Sequence, residues 1–474
     1  MSEVIKKPLP RPEDVLAKII NEAPEHDVIL DRLLDDLEQV NFYERNGFKP
    51  VKRTDYIVLV IDEILAIAEA KGWQLAYQDK QVYLYNGEYW RPLADDQLKH
   101  FLSKAALKSG VEPNVAQYHK IQDELLKQFY ASAYMPPPKR RDGDTLINLK
   151  NGTYRINDDG QNLQDFRAQD FLKYQLPFDY DTMADCPAFM KYLNHVLPDI
   201  GKQKVLQEFI ASIFISKRKM KLEKALVLYG DGANGKSVFS DVMRAMLGDD
   251  NVSGYGIGEL CATNSQSLHL LQDKLLNYAP EFNGNVDIER FKAITTGEPQ
   301  GVKRLYRDPF MMTDYARLAF NCNVLPKNTE QSEGFFRRFL IIEFDVTIPE
   351  PERDLSLATK IITDELAGVF NWMLEGLARL LANGKMTTCE AVSNATATYR
   401  KESDNVASWV EDVGHEPGTK PMQYKELYDQ YRQYCLENGF KQVSTKNFSK
   451  RLKSAGFEVE RRNYGLVVFV DALF

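Results

Sequence analysis

Residues 226–240 read LVLYGDGANGKSVFS, and the reading of this stretch decides the fold. Gly230, Gly235, Lys236 and Ser237 follow the Gly-x4-Gly-Lys-Ser spacing of a phosphate-binding loop. An apolar strand expected over Ala225–Tyr229 leads in. A helical pattern follows, with Val238, Val242 and Met246 on one face and Gly248 as its stop. That strand-loop-helix order is the context the motif requires. Gly230, Asp231, Gly232, Ala233, Asn234 and Gly235 would curl their backbone N–H groups around phosphates. Lys236 would reach the β and γ phosphates, and the Ser237 hydroxyl would ligate magnesium.

Hydrolysis also needs an acid at the end of a neighbouring strand. IVLVIDEI, residues 57–64, reads either as a strand running into Asp62-Glu63 or as a helix with Val58, Ile61, Leu65 and Ala68 in a stripe, and it precedes the loop. KLLNYAPEFNG is the better candidate: an apolar run through Tyr278 leads to Glu281, 45 positions after Lys236, with Asp273 as the fallback acid. Glu281 would share the magnesium shell with Ser237, partly through water. YARLAFNCNVLP reads as a buried strand ending in Asn321 and Asn323. The Asn323 amide could sense a γ phosphate and an attacking water together. In SEGFFRRFLIIEF, Arg337 and Arg338 precede a further strand; such a pair is either a solvated surface pair or, at a subunit boundary, able to stabilise charge on a neighbouring subunit's nucleotide, and this order adds weight to the second.

At 474 residues the chain exceeds one core, so two to four domains are expected. A net charge of −8 argues against a uniformly basic nucleic-acid coat and leaves local patches to be read segment by segment. Five scattered cysteines without a Cys-x2-Cys pair suggest neither a zinc ribbon nor a disulfide framework. The N-terminal stretch lacks a signal-like apolar core and no run is long enough to span a bilayer, so a soluble, cytoplasmic protein is expected. VYLYNGEYW predicts a hairpin turning at Asn86-Gly87, and LINLKNGTYRI a second turning at Asn151-Gly152. Between them MPPPKRRDGD, residues 135–144, reads as a linker.

The phosphate loop, the Glu281 strand, the Asn323 strand and the arginine pair fall within roughly 110 residues. That succession resembles the superfamily-3 helicases of viruses, phages and plasmids, a variant AAA+ fold. FKAITTGEPQGVKRLYRDPFMM looks like that group's channel-hairpin motif, which makes Lys292, Lys303 and Arg304 DNA-contact candidates by resemblance. YNGEYW, INLKNGTYRI, LPFDYD and ADCPAFMKYLNHVLPD are similar to the domain preceding the helicase in phage, plasmid and poxvirus-type primase-helicases. The resemblance implies ATP and Mg2+ as cofactors, a ring, most commonly a hexamer, with ATP between subunits, and DNA as partner. About 70 residues precede the shared region, and they carry no cysteine cluster and no acid set for nucleotidyl transfer. A separate primase or polymerase is therefore expected.

Towards the C-terminus, YKELYDQYRQYCLENGF predicts a helix with Tyr424, Leu427, Tyr431 and Cys435 in register. STKNFSKRLKSAGF predicts a second, capped by Ser444 or Thr445, with Phe448, Leu452 and Ala455 inward. A hairpin around RRNYGL completes the order of a winged helix. Residues 439–462 carry seven basic against two acidic side chains, a local +5. Phosphate contact is expected through Lys446, Lys450, Lys453, Arg461 and Arg462.

The expected fold is thus multidomain α/β. An α+β region spans 1–134 and a family-specific domain 145–200. An AAA+-like core with a helical lid spans 201–385 and a winged helix 400–474. The expected function is ATP-dependent DNA unwinding for a phage or mobile element. An origin-binding initiator ATPase and, more remotely, a nucleotide kinase are the alternatives.

Overall fold

The computed structural model describes residues 23–137, 143–157, 159–217, 219–282, 286–304, 309–325, 332–463 and 465–472. The middle of the expected linker, 138–142, lies outside them. The chain forms two compact units, Met1–Tyr180 and Asp181–Phe474. The boundary runs through the block expected at 145–200: its hairpin belongs to the first unit and its last twenty residues to the second.

The first unit contains α1 (His26–Asp36), α2 (Arg53–Ala70), β1 (Gln74–Gln78), β2 (Gln81–Tyr85), β3 (Trp90–Leu93), α3 (Asp95–Lys108) and α4 (His119–Ser132). A second sheet follows: β4 (Thr145–Leu149), β5 (Gly152–Asn157) and β6 (Gly160–Gln164). The IVLVIDEI stretch lies wholly within α2. Ile57, Val60, Ile61, Ile64 and Ala68 form its buried stripe against Ile29, Leu33, Leu102 and Phe129. The 3.6-residue period therefore prevails over the strand-like composition. The first hairpin turns where expected, with Tyr85 opposite Trp90. The second is displaced by one residue: Leu149 pairs with Gly152, so Lys150-Asn151 is the turn. Gly152 has φ +142° and serves packing, since a Cβ there would stand 2.7 Å from the Gln164 carbonyl oxygen on β6.

The second unit begins with α5 (Pro187–Val196) and α6 (Ile200–Ala211), followed by β7 (Ala225–Tyr229), α7 (Lys236–Leu247), β8 (Val252–Ser253) and β9 (Leu276–Ala279). Next come α8 (Ile288–Thr296), β10 (Gln300–Val302), β11 (Phe310–Met312), β12 (Arg317–Cys322) and β13 (Phe339–Glu343). Five strands form one parallel sheet in the order β13-β7-β12-β9-β8. Ala225, Leu226, Val227 and Leu228 of β7 are fully buried, the near-continuous apolar run that a sheet covered on both faces needs. At its N-terminal edge, buried Arg317 donates to the carbonyls of Ser212 (2.9 Å) and Ile215 (3.2 Å), anchoring the sheet to the turn after α6. Phe291 stacks on Phe339 at 5.0 Å, and Phe335 and Tyr399 close around them.

The helical lid expected at the end of the 201–385 core contains two helices, α9 (Leu357–Asp364) and α10 (Leu366–Asn383). The break at Glu365 is used: its carboxylate accepts the N–H groups of Ala188 and Phe189, both at 2.9 Å, and so caps α5. Glu208 on α6 is fully buried and paired with Arg379 on α10 at 2.5 Å, with Thr387 also donating to it.

After α11 (Glu390–Glu402) and α12 (Asn405–Val413) come β14 (His415–Gln423), α13 (Tyr424–Glu437), α14 (Thr445–Ser454), β15 (Val459–Arg462) and β16 (Gly465–Ala472). Tyr424, Leu427, Tyr431, Cys435, Phe448 and Leu452 are buried as their spacing predicts. The Ser444 hydroxyl caps α14 by accepting the Asn447 N–H. Ala455 is exposed, and Phe457 fills the inward position instead. Among the described residues no helix is long and apolar enough to cross a membrane.

Candidate active site

Because the five strands are parallel, their C-terminal ends share one edge, where open α/β sheets bind ligands. The 230–235 loop leaves β7 at this edge. Gly230 has φ +148°, and a Cβ there would lie 2.5 Å from the Phe344 carbonyl oxygen. Gly235 has φ +88°, and a Cβ would meet Tyr192 and Val196 of α5 at 2.9 Å each. Both positions therefore require glycine. The loop is tied to its surroundings by four backbone-directed bonds. Gly230 N–H donates to Cys322 (3.1 Å), Ile348 N–H to Ala233 (2.8 Å), Asn234 Nδ2 to Phe344 (3.2 Å) and Tyr192 Oη to Gly235 (2.7 Å).

Lys236 opens α7 with its ammonium folded back into this loop. Nζ donates to the carbonyls of Gly230 (2.6 Å) and Asp231 (3.0 Å) and to Asn234 Oδ1 (3.0 Å). Burial lowers its pKa and Asp231 opposes the shift. Ser237 beside it is exposed.

Glu281 is exposed two residues beyond β9, and Asn323 is exposed directly after β12, the strand between β9 and β7. Cys322 ends β12 one residue before Asn323. Its thiol is pushed up to about 11 mainly by burial, while Lys236 draws it down and Glu281 raises it further. Asn321 turns inward and accepts from Tyr278 Oη at 3.1 Å.

The other acids fall elsewhere. Asp273 precedes β9 and so stands at the opposite edge of the sheet from the loop, which removes it as the fallback acid. Asp62-Glu63 sit on a helix of the first unit, with Glu63 paired to Arg45 at 2.6 Å.

The arginine pair divides. Arg338 is buried, donating to the carbonyls of Lys292 (3.2 Å) and Gly334 and to Thr296 Oγ1 (2.8 Å). It fastens α8 to the segment before β13. Arg337 is more than half exposed and meets Glu223 at 2.9 Å. Lys292 pairs with Glu289 at 3.0 Å on α8. β10 and β11 form a hairpin in which Val302 faces Phe310. Lys303 is exposed just beyond it, whereas Arg304 bonds Gln272 Oε1 (2.9 Å) and lies over the Phe310 ring at 5.0 Å.

Lys446, Lys450 and Lys453 are all exposed on α14, while Arg451 between them is turned inward to Asp404 (3.2 Å) and Asn405. Arg461 is exposed, and Arg462 pairs with Glu460 at 3.3 Å and lies over Phe469 at 5.1 Å. Tyr192 and Lys202 escaped the sequence reading. Lys202 Nζ bonds Asp345 (2.8 Å) and the Glu343 carbonyl (3.1 Å) at the end of β13. Both residues sit in helices ahead of the loop, where no local motif marks them.

Three family models match in succession: D5 N terminal like at residues 63–198, a family of unknown function (DUF5906) at 228–338, and Poxvirus D5 protein-like at 401–471. A protein of Acanthamoeba polyphaga mimivirus named "Putative helicase L207/L206" is 22% identical over 392 residues, 76% of this chain and 40% of the relative. Two of the three models are named for the poxvirus D5 protein, so the chain is similar to the poxvirus-type primase-helicase family at both of those segments. The chain spans two fifths of the mimivirus protein's length. Two apo structures of the NrS-1 C-terminal region are similar at 12% identity. One has a TM-score of 0.46 and covers 86% of this chain and 98% of that one; the other has 0.44, with 87% and 98%.

Proposed function

We propose that the chain is an ATP-dependent DNA helicase that works in replication as a ring, with ATP hydrolysed between subunits. The observation that carries this reading is the sheet edge itself. One parallel sheet aligns the Lys236 loop, Asn323 and Glu281 on adjacent strand ends. The strand order β13-β7-β12-β9-β8 fits an AAA+-like phosphate-loop core, and the α13-α14-hairpin order fits a winged helix.

In this reading a nucleotide's phosphates replace the loop carbonyls as partners of the Lys236 ammonium. The Ser237 hydroxyl and Glu281 carboxylate are hard oxygen donors that suit Mg2+ completed by phosphates and water, and the ion would neutralise charge developing on the phosphates. Glu281 orients the attacking water, and Asn323 can donate to a γ phosphate while accepting from that water. With Arg338 committed internally, Arg337 is assigned the role of stabilising charge on the neighbouring subunit's nucleotide. Lys303 at the hairpin, and Lys446, Lys450 and Lys453 on α14, contact DNA phosphates without reading sequence.

Strand displacement on forked DNA, with mass measurement of the assembly, tests the whole reading. Lys236→Ala in the full chain should abolish ATP turnover while preserving the fold, and turnover at the wild-type rate would remove the nucleotide site and with it the helicase assignment.

A further inference from the structure

We infer that residues 42–53 of the first unit, ahead of the first family match at 63–198, form a docking site for a single nucleic-acid strand, with Tyr43 and Phe48 as base-stacking platforms. Tyr43 is 53% exposed and Phe48 66% exposed, and their rings meet edge to face at 5.8 Å. A short helix, Phe42–Arg45, ends here. Gly47 N–H donates to Glu44 (3.0 Å) and Phe48 N–H to Tyr43 (2.9 Å), the paired bonds of a Schellman ending. Such an ending favours one apolar contact between these positions. It requires neither two aromatic rings more than half in water nor a phenylalanine at φ +61°, a conformation uncommon for bulky side chains.

The charges around the rings point to the occupant. The stretch FYERNGFKPVKR carries Arg45, Lys49, Lys52 and Arg53 against Glu44 in a chain of net charge −8. The nearby carboxylates are each engaged. Glu44 accepts from Asn41 (3.2 Å), Glu63 holds Arg45 (2.6 Å), Glu124 holds Arg53 (2.7 Å), and Asp55 accepts the Lys52 N–H (2.7 Å) and Asn46 Nδ2 (3.1 Å). The ammonium groups of Lys49 and Lys52 have no carboxylate partner among the described residues. Flat rings beside two lysines without a carboxylate partner among the described residues match a strand with unstacked bases, because every base offers a face to stack and every linkage a negative charge. A duplex, its bases already stacked, offers the rings nothing.

The test uses the full-length chain and fluorescence anisotropy with oligo-dT and with a blunt duplex. Phe48→Leu keeps the apolar contact of the helix ending but loses the ring, and Tyr43→Ala/Phe48→Leu loses both. The double variant should bind oligo-dT about tenfold more weakly. Its duplex affinity, thermal midpoint and basal ATP turnover should stay unchanged. Phe48→Trp should retain oligo-dT affinity, and Lys49→Ala/Lys52→Ala should lower the oligo-dT salt slope by about 1.4. Unchanged oligo-dT affinity in the double variant overturns the inference, as does equal loss on duplex, a wild-type chain that ignores oligo-dT, or a change confined to assembly mass, which would make the patch a protein interface. Each of these outcomes leaves the Lys236→Ala result standing, so the two readings fail separately.

Discussion

His26 on α1 is buried, and its Nε2–H donates to the Tyr89 carbonyl at 3.0 Å, while Nδ1 finds no partner among the described residues. Burial is the main cause of a pKa near 4 rather than 6.5, and Arg91 adds to it. The folded state thus binds this proton less well than the unfolded one. Stability from His26 is intact above pH 6.5 and is lost as pH falls towards 4, by about 3 kcal/mol. Urea titrations at pH 7 and pH 4.5 should show a fall that is shallower in His26→Gln by about 2 kcal/mol; parallel curves would contradict the assignment. Residue roles were unevenly legible in the sequence. Lys236 is named by its motif, but nothing in SEGFFRRFLIIEF says that Arg338 turns inward to three oxygens while its neighbour stays in water. That division depends on where α8 docks, which is a long-range fact. Asp273 precedes the apolar run that becomes β9 and so meets the sheet at the end away from the loop, which its position in the sequence already implied.

At the scale of elements, α14 presents Lys446, Lys450 and Lys453 to solvent because Phe448 and Leu452 take the inner face. Arg451, held by Asp404, belongs to the packing and should be left intact. Replacing the three lysines with alanine removes up to three phosphate contacts. The slope of log affinity against log salt on duplex DNA should shrink by about 2.7, with little change in thermal midpoint. An unchanged slope would mean that this helix does not meet DNA. The helices of this region were legible from period and caps, whereas β14 was not. Its sequence HEPGTKPMQ carries two prolines and a glycine, with a register shift between Pro417 and Pro421. It survives because it is an edge strand, paired only with β16, where missing N–H donors cost little. The one-residue displacement of the Lys150-Asn151 turn has a similar origin. Asn-Gly is a strong local signal, but β6 packing demands the glycine in the strand.

At the scale of the whole molecule, the parallel sheet leaves a one-sided arrangement. The loop, Asn323 and Glu281 line one edge, while Arg337 stands just before β13 with its guanidinium paired to the partly buried Glu223. β13 begins at the N-terminal edge, so Arg337 stands at the end of the sheet away from the loop. An arginine there cannot serve its own chain's phosphates without dismantling β13, but it can serve those of an adjacent copy in a ring. Arg337→Ala alone should therefore bind ATP with near wild-type affinity and hydrolyse it at least about a thousandfold more slowly. Lys236→Ala should be silent as well. Mixed together, the two can form interfaces in which an intact Lys236 loop meets an intact Arg337, and ATP turnover should return in proportion to the fraction of such interfaces. Mixtures that stay silent, while native mass measurement shows mixed assemblies, would place the arginine outside the site. Turnover in a dilute, strictly monomeric sample would sink the shared-site reading entirely, because it would show that the sheet edge of one chain is sufficient.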